Sequence, residues 1–238
     1  MLFASCASEE EPSPPAHSTV TAVPTTPRTL PGGWDKGTRR DFEDLALRLA
    51  ARKPQWTAAD LEELDAAIVN QDERATRAAV LLAHDQHAQA TLAMLAHLEL
   101  RLEAPSRPMD AAAIVCARAL EHRTLETDDI ERLAALAAGP APHPDLEVRV
   151  GCAAAALGHG NRSVVAFLIR VLRAETPAQV EDPPDWERVT TLFWAKRHAS
   201  SALSAALKTT LTYRPDGSYK HQAQEANTYA AAFESKGD

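Results

Sequence analysis

Apolar positions along this 238-residue chain recur at helical spacing, and they do so in short pairs of segments. The clearest pair runs from Asp145 to Glu175, reading DLEVRVGCAAAALGHGNRSVVAFLIRVLRAE. Asp145 suits the N-cap of a first helix, Glu147 puts negative charge in its first turn, and Val148, Cys152 and Ala155 follow on one face. Gly158 is expected to take the left-handed position that ends it. Asn161 can cap a second helix in which Val164, Val165, Leu168, Val171 and Leu172 make a wide apolar face, with Arg162, Arg170 and Arg173 outside it. An isolated helix shorter than about 12 residues is marginal in water, so neither segment is stable alone. Stacking on similar pairs is the expected remedy.

Copies of the pattern surround it. ERATRAAVLLAHDQHAQATLAMLAHLE repeats it, since placing Arg77 on Arg149 also brings Leu92 near Val165 and Leu95 near Leu168. Between the two, Met109, Ala112, Ala113, Cys116 and Leu120 give another first helix, and Ile130, Leu133 and Leu136 another second one, which Thr127 is expected to cap. The hairpins recur at roughly 36 to 37 residues, inside the range of helical-repeat solenoids. The run from Asp145 through Val148 and Arg149 to Ala156, Leu157 and Gly158 resembles the first helix of the short bacterial HEAT repeat, the phycobilisome-lyase-like kind. That resemblance implies a short right-handed α-solenoid whose second helices make a concave face for a partner. It also implies that Arg77 and Arg149 brace neighbouring repeats through acidic side chains.

The flanks are helical too. Thr38 with Asp41 can cap a helix carrying Phe42, Leu45 and Leu49, which Pro54 ends, and Thr57 with Asp60 forms a capping box ahead of Leu61, Leu64 and Ile68. Trp186, Val189 and Phe193 share a face, a small-residue helix follows, and Pro215-Asp216-Gly217 turns the chain into a last helix. There Tyr229 and Phe233 are placed to cover the open end of the stack. No stretch alternates β-branched and polar residues with period two, so the fold class is all-α. The expected domains are a lipobox remnant at 1–6, a Pro/Ser/Thr/Glu tether at 7–37, the repeat body at 38–212, and a C-terminal turn and capping helix at 213–238.

Leu2-Phe3-Ala4-Ser5 before Cys6 resembles the lipobox of a bacterial lipoprotein, which implies diacylation of the Cys6 thiol. The apolar part is too short for a complete signal peptide, so a signal upstream of Met1 is expected. Residues 7–33 are rich in Glu, Ser, Thr and Pro and suit an extended tether.

Composition narrows the chemistry. Net charge is −8 without a long basic run, which argues against a nucleic-acid binder. Cys116 and Cys152 read as buried thiols on successive first helices, too far apart for a disulfide. His84 and His87 share one turn with Asp85, and His122 and His159 occupy later turns, so a metal site at His84 and His87 is a candidate. Asp128 and Asp129 fall in the first turn of a helix, where the macrodipole accounts for them. Phosphate-loop, dinucleotide, zinc-protease, nucleophile-elbow and CxxC motifs are absent.

The resulting expectation is a non-enzymatic scaffold without a cofactor, a monomer that Cys6 anchors in a bacterial cell envelope, facing the periplasm. It would hold another protein through Arg77, Arg149, Arg170 and Trp194. The alternatives are a bilin-lyase-like enzyme, which the repeat type brings to mind, and a soluble cytoplasmic adaptor.

Overall fold

The computed structural model describes residues 30–36, 39–52, 55–70, 74–100, 111–175 and 189–235. Among them are ten α-helices and no strand: α1 (Arg39–Arg52), α2 (Ala58–Val69), α3 (Ala75–His84), α4 (Ala88–Leu100), α5 (Ala111–Leu120), α6 (Thr127–Ala138), α7 (Leu146–Gly158), α8 (Val165–Arg173), α9 (Val189–Leu207) and α10 (Tyr219–Ser235). A short 3-10 turn, Arg162–Val164, leads into α8. Cys6, Thr38, Pro54, Met109 and Trp186 lie outside the described residues.

The helices start where local chemistry supplies a cap. Thr57 and Asp60 form the full reciprocal capping box of α2. One Asp145 carboxylate oxygen accepts from the Glu147 and Val148 N–H groups at the head of α7. Two expected signals are displaced. The residue before α6 is Glu126, extended and without a side-chain cap, and Thr127 is already helical. Gly158 is still part of α7, and the left-handed residue is Gly160, with φ of 90°. Its N–H reaches the Leu157 carbonyl and that of Asn161 reaches Ala156, so the helix runs on two residues before it is closed.

Helices α1, α3, α5, α7 and α9 touch in succession, α2, α4 and α6 do likewise, and α10 lies on α8. Each even-numbered helix up to α8 packs more extensively on the odd-numbered helix that follows it than on the one before it. The interface within the α7–α8 hairpin is accordingly thin, while α7 is buried between α5, α6 and α9. Every residue of α7 from Val148 to Leu157 is buried, and a Cβ added at Gly151 would sit 2.9 Å from the Ala117 Cβ. Small residues are needed there because two backbones approach too closely for anything larger.

The core begins earlier than the expected tether allowed. Trp34 is 4% exposed, its indole N–H donates to Glu63 at 3.3 Å, and the Arg74 guanidinium lies over its ring. Leu30 donates its N–H to Asp60. An indole has enough apolar area to hold down a short Pro- and Gly-containing segment. At the other end the buried stripe of α9 is Leu192, Ala195, Ala199, Leu203 and Leu207, so Phe193, expected on the inward face, points outward. Leu92 is likewise exposed, whereas Leu95 is fully buried. Tyr229 and Phe233 of α10 are buried as expected of a covering helix.

Candidate functional site

The C-terminal ends of α5 and α7 and the outward side of α9 wall a groove made of two adjoining cavities, of about 580 and 340 Å³, that share Glu121 and His122. One wall carries Arg118, Glu121 and His122 at the end of α5, followed by Leu157 and Gly158 at the end of α7. The other is α9, which lines it from Trp194 through Arg197, His198 and Ser201 to Ala205 and Lys208. Arg162 and Phe233 close the far end.

Trp194 is 48% exposed, meets the edge of Phe193 at 5.3 Å, and has the Arg197 guanidinium over its ring at 5.6 Å. His198 Nε2 lies 2.7 Å from Glu121 Oε1, a tie between the two walls that holds α9 to α5 across the groove. At the far end Arg162 donates to the Phe233 carbonyl at 2.7 Å and stacks over the same ring. Lys208 ends α9 with φ of 50°, a left-handed conformation that glycine usually occupies. Alanines 154, 202, 205 and 206 keep the floor low between these groups.

Of the four residues expected to meet a partner, Trp194 alone lines this groove, and His122 of the histidine series lines it as well. Arg149 is 7% exposed: its Nε donates to the Ala137 carbonyl and its guanidinium lies over the Phe167 ring at 4.5 Å, leaving little surface for a partner. Arg170 is exposed and lies over the same ring at 5.7 Å, and Arg77 is half-buried on α3. His84 and His87 flank Asp85, whose two carboxylate oxygens accept the Trp56 N–H at 2.8 Å and the His87 N–H at 2.6 Å. Burial lowers the pKa of His84. No cluster of three metal-ligating side chains occurs among the described residues. Cys116 and Cys152 form no disulfide and are fully buried, and the Cys152 thiol is pushed up by burial and then by the Glu121 charge, so neither offers an exposed thiolate.

Two buried charges were not singled out. Arg123 is 6% exposed and donates to Thr91 Oγ1, the His87 carbonyl and the Leu82 carbonyl, so one guanidinium satisfies three acceptors of the α3–α4 hairpin. Burial lowers its pKa, against the Asp85 charge, which raises it. Lys196 is 3% exposed, bonded to the Gln222 side-chain carbonyl and placed over the Tyr219 ring, and burial brings its pKa down to about 8 against the opposing Glu175 charge. Its helical spacing from Leu192, Ala199 and Leu203 was the available signal.

No family model, no curated protein and no solved structure matches this chain. No helix among the described residues is long and apolar enough to cross a membrane.

Proposed function

We propose that this chain is a protein-binding helical-repeat domain, a short right-handed α-solenoid of HEAT-like hairpins tethered by a lipid on Cys6 in a bacterial cell envelope. The reading of the architecture is supported by the two rows of helices that touch in succession. The binding reading is carried by one observation: Trp194, a large aromatic in a chain with 5% aromatics, stands half exposed at the mouth of a groove instead of joining the core. The partner site therefore lies on α9 rather than along the second helices. The Cys6 anchor rests on the lipobox-like sequence before it.

A photo-crosslinking amino acid at position 194, incorporated in cells, is expected to trap a discrete partner. Failure to trap one at 194, 197 or 201 would sink the binding reading. Metabolic palmitate labelling of the chain expressed from an extended upstream start tests the anchor, and label that persists after Cys6→Ser would remove it.

A further inference from the structure

We propose that α10 is a releasable cap, one that sits over Lys196 and is loosened for as long as that lysine carries its charge. The inference does not depend on what the groove binds.

Lys196 lies on α9 and is 3% exposed. An ammonium carries three donors, yet among the described residues its contacts are the Gln222 side-chain oxygen and the face of the Tyr219 ring. Both belong to α10 and neither is charged. The Gln222 oxygen cannot turn away, because the amide nitrogen of the same side chain donates to the Pro215 and Gly217 carbonyls. Docking α10 therefore takes an ammonium out of water in return for one neutral oxygen and one ring, an exchange that penalises the charged form.

The groups around it leave that penalty standing. Glu175, exposed just after α8, favours the proton, and burial outweighs it. The Tyr213 hydroxyl is 3.3 Å from the same Gln222 oxygen but donates to the Leu172 carbonyl at 2.6 Å. On α10, Glu225 is bonded to Arg214 and His221 to Ser218. From α8, Arg170 lies over Phe167 and Arg173 is bonded to Asn227. From α7, Arg149 is held by the Ala137 carbonyl and the Cys152 thiol feels the Glu121 charge. On α9 itself Arg197 lies over Trp194 and His198 meets Glu121, while Lys208, Asp216 and Lys220 face solvent.

The rest of α10 is lightly seated. It follows α9 in the chain but packs chiefly on α8, and its buried stripe is Gln222, Ala226, Tyr229 and Phe233. Phe233 stands between the 580 Å³ cavity beside α7 and α9 and a second, of about 470 Å³, beside α8. A ring with open space on two sides forfeits dispersion contacts there, so the C-terminal half of α10 is the end expected to open first. Its departure withdraws Phe233 and Ala230 and joins Val165 and Ile169 of α8 to the alanine floor of the larger cavity.

Thiol labelling of the full chain carrying Ala226→Cys reads the release, since position 226 is fully buried beneath the docked helix and Cys152 of α7 reports opening of the whole fold. Dividing the rate at 226 by that of a free peptide spanning 219–235 with the same cysteine removes the pH dependence of the thiol. Position 226 is expected to label at least about tenfold faster than Cys152. Its protection should be flat below pH 8 or so and rise from there to about pH 9.5, by up to about tenfold per unit, because in that window the released lysine keeps a proton that the docked one gives up. Lys196→Met in the same background should abolish the rise, and circular dichroism confirms that each variant is folded. Ala230→Cys, where the 470 Å³ cavity has room for a sulfur, repeats the measurement if position 226 does not accept one. Equal labelling of the engineered cysteine and Cys152 overturns the proposal, since α10 would then leave only when everything unfolds. A rise that survives Lys196→Met also overturns it, because another group would be setting the grip.

Discussion

The middle and the C-terminal end of this molecule are held together by different means. Around α7 the helices meet through small and branched apolar residues: Val148, Val150, Cys152, Ala153 and Ala155 are fully buried, and Gly151 admits the Ala117 methyl at a distance no Cβ would tolerate. At the end, α10 and the loop that leads into it are held by side-chain hydrogen bonds. Tyr213 donates to the Leu172 carbonyl at 2.6 Å, the Gln222 amide donates to the Pro215 and Gly217 carbonyls, and Arg173 reaches Asn227. Tyr229 bonds the Leu211 carbonyl and meets the Ser204 hydroxyl. A middle helix has apolar neighbours on several sides, and shape complementarity suffices. A last helix has neighbours on one side only, so directional bonds to carbonyls of α8 and the α9–α10 loop fix its position.

The contrast can be broken most severely in the middle. Gly151→Val should destabilise the fold by about 1–3 kcal/mol, because the added atoms meet the Ala117 Cβ and backbone and neither can move without separating α5 from α7. Urea denaturation would read this, and an unchanged midpoint would mean that the two helices are not in fixed contact.

The polar end should instead respond to pH. Lys196 is protonated to about pH 8 when folded and above that value when unfolded, since its ordinary pKa is 10.5. Between the two values the unfolded chain holds more protons, so stability rises with pH through that window, by about 1.4 kcal/mol per unit at most. Burial raises the pKa of Tyr213 and Tyr229, which reverses the trend once unfolded tyrosines begin to ionise. Lys196→Met should flatten the rise between pH 8 and the Lys reference value. Identical pH profiles for the two proteins would show that Lys196 is not held away from water.

Smaller still, Tyr213→Phe should cost about 1 kcal/mol by depriving the Leu172 carbonyl of its donor. Amide exchange should quicken in α10 more than in α7, and uniform acceleration would erase the distinction between the two regions. Lys208→Gly should stabilise by about 0.5 kcal/mol, since glycine adopts the left-handed conformation without strain but loses more entropy on folding. A thermal melt that shifts downward would contradict this.

How much of this was legible depended on whether the signal was local. The all-α class, the Thr57–Asp60 box, the Asp145 cap and the buried thiols follow from residues a few positions apart. The end of α7 was misplaced because Gly158 and Gly160 are both local candidates, and only the hydrogen bonds to Ala156 and Leu157 choose between them. The outward turn of Phe193 was missed because the burial stripe of α9 is made largely of alanines, which carry little pattern. Arg123 and Lys196 look like surface charges in sequence, and their acceptors lie 26 to 41 positions away. Trp194, His122, Arg162 and Phe233 were each visible in the sequence, but not that they share one groove. Its walls come from α5, α7 and α9, and which side of α9 faces them is a tertiary fact.

The spacing of the sequence pattern and the grip between helices are out of phase. The pattern groups α7 with α8, yet α8 holds α9 more tightly than it holds α7, and Arg123, beyond the end of α5, grasps the turn of the preceding pair. Under a pull from its ends such a chain should give way in steps that straddle the hairpins, each step releasing one even-numbered helix together with the odd-numbered helix after it.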